Sequence, residues 1–183
     1  MKRRDVLKAG VAATGGVLAT QVGLAAQENE RPQIQNAKHA FHLKYAPHFG
    51  MFKDSAGDDP LDQLRFAADQ GFTAWEDNGM KRKDPQLQEK IAKTMRQLGM
   101  EMGVFVATAT FQEVTFAGRD EDTWNRVLQD IRDSVEVAKR VNAKWMTVVP
   151  GRYDQGLEWD YQTANCIELL KRSTETLEPP GLV

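Results

Sequence analysis

The sequence predicts an α/β fold of parallel strands joined by helices. Short apolar runs of strand length alternate with amphipathic stretches of helix length four times in succession, the pattern of βα units closed by right-handed crossovers. The helix boundaries are marked chemically: Asp59-Pro60 and Asp84-Pro85 pair an N-cap acid with proline at the first helical position, and Gly71 and Gly99 follow the last apolar residue of each helix. The run Phe72–Trp75 is short, apolar and suited to a strand covered on both faces.

Taken in order, Ala40–Ala46 has strand composition with partial alternation, and Pro47–Gly57 is a loop rich in Gly, Pro, Asp and Ser. Leu61, Leu64, Ala67 and Ala68 give the next helix one apolar face. After Phe72–Trp75 and the loop Lys81–Pro85, a second helix carries the stripe Leu87, Ile91, Met95 and Leu98. Met100–Ala107 is the third strand, and Thr108–Gly118 a long loop with a hydrophobic middle. Acids at 120–122 suit the positive end of the third helix, whose buried face is Trp124, Val127, Leu128, Ile131, Val135 and Ala138, with Asn142 as its stop. Lys144–Val149 is the fourth strand and 150–156 its exit loop. Residues 158–177 form the fourth helix, with Ala164, Ile167, Leu170 and Leu177 facing inward, and Leu182-Val183 open one more strand. No Gly-x-Gly-x-x-Gly follows the first strand and no phosphate-binding P-loop occurs, so a nucleotide site is not supported.

Residues 1–26 read as an export signal: a basic start with Arg3-Arg4, a Gly- and Ala-rich stretch from Ala9 to Leu24, and small residues at Ala25-Ala26. The arginine pair followed by Asp-Val-Leu-Lys looks like a twin-arginine signal, which predicts a periplasmic or otherwise exported protein. The stretch holds too many glycines for a stable membrane span. Residues 27–38 are a polar lead-in, and 39–183 the folded part. The signal holds four basic residues and one acid, so the remaining chain carries 20 basic and 25 acidic side chains, a net of −5. That sign repels phosphate backbones, and no basic run with interleaved aromatics appears, so nucleic acid is not an expected partner. The lone Cys166 excludes an intrachain disulfide and reads as a buried, inert thiol.

Ligands of helix-covered sheets bind beyond the carboxyl ends of the strands. Glu76, just past Phe72–Trp75, is therefore the first candidate to meet a substrate, against the plainer reading of a solvated loop acid. His42 and His48 flank the end of the first strand. With Glu76 they would make a partial metal site, a wall for sugar hydroxyls, or simply surface histidines. Arg152, after the fourth strand, suits a carboxylate or phosphate, or else pairs with Asp154. Trp75, Phe111, Phe116 and Tyr153 could wall a pocket, whereas Trp124 lies on a helix face and reads as core.

Several segments together carry a resemblance to a known family. They are the first-strand segment Phe41–Phe49 with a helix start near Pro60, the run Ala67-Ala68-Asp69-Gln70-Gly71-Phe72-Thr73-Ala74-Trp75-Glu76, the long loop after the third strand, the segment Met146–Gly151, and Leu177–Val183. In order and spacing the chain resembles the N-terminal half of a hydroxypyruvate isomerase-like protein. That group belongs to the xylose isomerase-like TIM barrels, the sugar phosphate isomerases/epimerases. The resemblance implies a (β/α)8 barrel of which this chain holds about the first four βα units, a partial barrel. It also implies an aldose–ketose isomerase or epimerase acting on a small sugar-like hydroxy-carbonyl compound with a divalent metal cation. It places the metal ligands and catalytic glutamates on strands five to eight, beyond Val183. The expectation is therefore a chain truncated before its catalytic residues, holding no metal and inactive alone.

Within this half only pocket roles carry over. Glu76 matches the family's acid after strand two, and Gly151 its glycine after strand four. Lys44 stands where many members have Asn, and Val106-Ala107-Thr108 where many have a His-Asn pair, so Lys44 and Thr108 join the candidates while pointing to a substrate other than hydroxypyruvate. A half-barrel has open sheet edges, which a homo-oligomer could cover. An exported, non-catalytic carbohydrate-binding relative is the alternative. A phosphodiester-cleaving enzyme is a third class, because endonuclease IV shares this barrel, and the acidic charge opposes it.

Overall fold

The computed structural model describes residues 39–183. The export signal and lead-in expected at 1–38 lie outside the described residues. In chain order the elements are α1 (Lys53–Ala56), α2 (Pro60–Asp69), β1 (Ala74–Trp75), a 3-10 turn (Met80–Arg82), α3 (Pro85–Gln97), β2 (Glu101–Met102), β3 (Val104–Thr110), α4 (Glu121–Val141), β4 (Trp145–Pro150) and α5 (Trp159–Leu177). The β1–β2 and β3–β4 pairs are parallel. Backbone bonds from Glu101 N–H to Thr73, Gly103 N–H to Trp75 and Asp77 N–H to Val104 carry the first pair into the second. The strands thus form two two-stranded sheets, β1-β2 and β3-β4, linked by these bonds around Gly103, with Trp75, Phe105 and Met146 buried in one core.

The helix signals work as read. The Asp59 carboxylate accepts from the N–H groups of Leu61 and Asp62, with Pro60 at the first position. Asp84 sits at the N-cap of α3 ahead of Pro85 but makes no side-chain cap bond. Gly71 and Gly99 follow their helices at φ 95° and 66°, and Asn142 ends α4 at φ 55°. Gly71 admits no side chain for a second reason: a Cβ there would lie 2.0 Å from the carbonyl oxygen of His39.

The strands are where expectation and structure part. Ala40–Ala46 forms no ladder. It is an exposed segment with Phe41, Leu43 and Tyr45 open to solvent, held by one sheet bond, from Glu76 N–H to the Pro47 carbonyl. Pro47 has no N–H to return, so the ladder cannot extend through it. The expected strand 72–75 narrows to Ala74–Trp75, and 100–107 is interrupted at Gly103. The long loop starts later than expected, because Thr108–Thr110 belongs to β3. The fourth strand shifts by one residue to Trp145–Pro150. Leu182-Val183, expected to open a strand, is not assigned as one: Leu182 N–H bonds back to Leu177 O, while Val183 alone makes the two 2.9 Å bonds of a parallel neighbour, donating to Lys144 O and accepting from Met146 N–H.

Two apolar cores result. The larger centres on Trp75, Phe105, Met80, Ile91 and Ile131. The smaller joins Phe116 and Trp124 to Val127 and Leu169 under the loop after β3. Burying one such side chain contributes about 1.5–3 kcal/mol. Trp75 and Phe116 are thus core residues, not pocket walls. On α5, Ala164, Ile167 and Leu170 are exposed, contrary to expectation, while Leu177 is buried as expected. Among the described residues no helix is long and apolar enough to cross a membrane.

Candidate functional site

The carboxyl ends of β1, β3 and β4 carry most of the candidate chemistry, and neighbouring acids there have opposite fates. Asp77 is buried. Its Oδ1 accepts from Gly79 N–H at 2.9 Å, and its Oδ2 lies 3.0 Å from Lys83 Nζ as an ion pair without a well-directed hydrogen bond. Lys83 also lies over the Phe49 ring, 5.2 Å from its centroid. Asp77 is therefore structural, fixing the turn after β1. Glu76 is half-buried, and its backbone is pinned to Pro47. Because Trp75 is buried on the helix side, alternation turns Glu76 to the inner face, where Gly103 packs close by: a Cβ on Gly103 would come 3.7 Å from the Glu76 Cβ. The Glu76 carboxylate makes no hydrogen bond or ion pair within the described residues.

β3 holds an irregularity with consequences for Thr108. Its register against β4 shifts between Val106 and Thr108, so Ala107 and Thr108 are both buried on the helix side. The freed Ala107 carbonyl accepts from Lys81 Nζ at 2.9 Å and from Ser134 Oγ at 3.3 Å. Lys81 also bonds the Asp130 carbonyl and Oδ1, and the Thr108 hydroxyl donates to Asp130 Oδ2 at 2.9 Å. Thr108 consequently lines a cavity of about 300 Å³ between β3 and α4, with Glu113, Arg126 and Asp130. Lys81 and Asp130 were not singled out from sequence. The signal would have been a lysine and an acid spaced to meet at a bulge, which no local pattern announces.

Gly151 holds φ 80°, and a Cβ there would lie 2.4 Å from Glu113 O and 2.6 Å from Thr115 Oγ1, so the loop after β3 closes tightly over the end of β4. Arg152 N–H donates to Glu113 O, and Thr115 Oγ1 to Pro150 O. The Arg152 guanidinium is exposed and makes no pair with Asp154, whose Oδ1 instead accepts from Gly156 N–H at 2.8 Å. Gly151, Arg152, Tyr153, Trp159 and Cys166 line a largely apolar cavity of about 280 Å³. Cys166 is half-buried rather than buried as expected, and burial pushes its thiol up from the ordinary value, which slows its reaction as a nucleophile.

The remaining candidates stand apart from these. His42 and His48 are exposed, and His48 Nδ1 lies 3.0 Å from Phe49 O. Lys44 pairs with Glu101 at the amino end of β2, away from the strand ends that carry Glu76 and Gly151. Among the described residues no three His, Cys, Asp or Glu side chains gather into a group that could hold a metal.

The family described as xylose isomerase-like TIM barrel matches residues 64–182, more than half of the chain. No protein of curated function matches. Among solved structures, the chain is similar to an AP endonuclease, family 2, from Brucella melitensis (17% identity, TM-score 0.58, covering 76% of this chain and 53% of that one). It is similar also to a D-psicose 3-epimerase crystallised with D-fructose (10%, 0.57, 76% and 50%) and to a sugar phosphate isomerase/epimerase from Parabacteroides distasonis (12%, 0.55, 82% and 53%). The chain spans about half the length of these structures, and at such identities the likeness is one of fold. With its parallel strands, crossover helices and matched segment, the chain belongs to the xylose isomerase-like TIM barrel family.

Proposed function

We propose that residues 39–183 supply the first βα units, and so part of the substrate mouth, of an isomerase or epimerase of small sugar-like hydroxy-carbonyl compounds. In this proposal residues 1–26 direct export by the twin-arginine route and residues 27–38 are a lead-in. The observation that carries the reading is Glu76, a half-buried carboxylate with no partner among the described residues, at the carboxyl end of β1 in a xylose isomerase-like barrel. An unpaired carboxylate accepts hydrogen bonds from several hydroxyls at once, which suits a polyol.

Interconversion of such compounds moves a proton next to a carbonyl, which needs a positioned base and a polarised oxygen. A divalent cation, when bound, would supply that polarisation. The described residues do not fit a metal: Glu76 gathers no second and third ligand. A cation and the proton-moving groups would therefore come from groups outside the described residues, as the family resemblance implies for strands five to eight. Glu76 then orients hydroxyls, and Gly151 shapes the loop above them. A carbohydrate-binding, non-catalytic role is the second reading, because an unpaired carboxylate can hold sugar hydroxyls without any proton transfer. The net charge of −5 on residues 27–183 argues against cleavage of nucleic-acid phosphodiesters.

The test is deuterium exchange at the carbon beside the carbonyl, followed by proton NMR in heavy water over a set of ketoses and hydroxypyruvate, with Mg2+, Mn2+ or Co2+ added. The 183-residue chain and the whole product of its reading frame are compared. The expected result is exchange by the whole product alone, with ketose binding to both weakened about tenfold by Glu76→Gln. Exchange by neither, with binding intact, selects the non-catalytic reading. Binding unchanged by Glu76→Gln removes Glu76 from the site.

A further inference from the structure

We propose that the cavity between the exit loop of β4 and α5 is a second ligand site, for a small carboxylate with a flat apolar body such as an aryl-substituted short-chain acid. Its lining is almost wholly apolar, from Ala117, Tyr153, Trp159 and Ile167, and its volume of about 280 Å³ lies at the small end of ligand pockets. The Tyr153 and Trp159 rings stand 6.4 Å apart at 59°, both more than half exposed, so two aromatic faces remain free to cover a ring.

The polar groups at this cavity are mostly spent. Gln162 holds the loop: its amide donates to Asp154 O and Leu157 O, and its Oε1 accepts from Asp154 N–H, while the Thr163 hydroxyl donates to Trp159 O within the helix. Arg152 is the opposite case, with a guanidinium that has no ion pair or side-chain hydrogen bond within the described residues. An apolar slot with one unpaired, fork-shaped cation at its edge complements a molecule that is apolar except for one planar anion, because the fork bonds both oxygens of a carboxylate. A polyol would leave its hydroxyls unpaired against this lining, so the site differs in chemistry from the mouth at Glu76. It shares Gly151 with the proposed mouth, but neither Glu76 nor Thr108 lines it, and carboxylate binding here does not depend on the isomerase reading.

Cys166 provides the test, because it lines the cavity and is the chain's single cysteine. Phenylacetate is titrated into the full chain by calorimetry, while the alkylation rate of Cys166 by iodoacetamide is followed by mass spectrometry. 2-Phenylethanol and acetate serve as the uncharged and ring-free controls. The expected result is saturable phenylacetate binding that slows alkylation at least threefold, with each control about tenfold weaker. Arg152→Gln and Trp159→Ala should each weaken binding about tenfold. Both side chains are exposed, so these variants fold as the parent does. Absence of binding overturns the proposal. Binding that leaves the alkylation rate unchanged, or that Arg152→Gln does not weaken, overturns it equally.

Discussion

Helices α4 and α5 lie side by side and are of similar length, yet they meet the protein through opposite kinds of surface. The buried face of α4 is apolar at nearly every turn: Trp124, Val127, Ile131, Val135 and Ala138. The buried face of α5 is Gln162, Asn165, Leu169, Ser173 and Leu177, while Ile167 and Leu170 are each 48% exposed. Buried polar groups are tolerated only when bonded, and these are. Gln162 holds residues 154–157, Asn165 Nδ2 donates to Ala117 O at 2.9 Å, and Ser173 Oγ bonds back to Leu169 O. α4 is held mainly by area removed from water, with Trp124, Asp130 and Ser134 adding bonds, whereas α5 relies more on directed bonds to the two loops that shape the end of β4. The difference shows that a helix bordering a candidate site can be fastened by the loops it must position.

The largest effect expected from this contrast is on α4. Trp124 is fully buried, and its Nε1–H is shared between Thr115 O and Gly118 O at 3.2 Å each. Trp124→Ala should lower unfolding free energy by about 3–5 kcal/mol in urea titration. On α5 the order of sensitivity inverts. Gln162→Leu keeps the size and adds hydrophobicity, yet leaves three loop groups without partners, so a loss of about 2–3 kcal/mol is expected. Ile167→Ala, removing a larger apolar group from the same helix, should cost less than about 0.5 kcal/mol. If Ile167→Ala proved the costlier of the two, α5 would be an ordinary amphipathic helix and the contrast would fail.

The same contrast explains what could be read from the sequence. The α4 face was legible because its apolar residues recur at helical spacing and all turn inward. The α5 face was not, because its apolar residues fall on the open side, and nothing local states that Gln162 and Asn165 have carbonyl partners. In the sheet, the strand around Trp75 was legible from composition and its glycine stop. The Ala40–Ala46 segment was misread because composition cannot show that Pro47 ends the ladder. At the site, Glu76 and Gly151 could be placed by position relative to their strands. Thr108 could not, because the irregularity at Ala107, held by Lys81 and Ser134, turns it from the inner face toward Asp130. A period of two is lost the moment one residue is inserted into it.

The helix starts offer a finer test of the comparison. Asp120 caps α4 by accepting from Thr123 N–H at 2.7 Å, whereas Glu158 at the start of α5 makes no side-chain cap bond. Hydrogen bonding by Thr123, through its side chain and its backbone N–H, holds the Asp120 carboxyl below its ordinary value. A depressed carboxyl pKa means the ionised form is favoured by folding. Its contribution is therefore complete above the unfolded value, about 3.9, and is lost as pH falls through the lower folded value. Asn at the same place still caps but cannot ionise or meet the helix dipole with charge. Asp120→Asn should thus melt below the parent at pH 6, and the gap should narrow steadily between pH 4 and pH 2.5, the smallest of the effects here. Glu158→Ala, which removes no cap bond, should change the melting temperature little at pH 6. A gap at Asp120→Asn that held constant to pH 2.5 would mean the carboxylate's charge contributes nothing. The two helix starts would then differ only in the geometry of a neutral hydrogen bond.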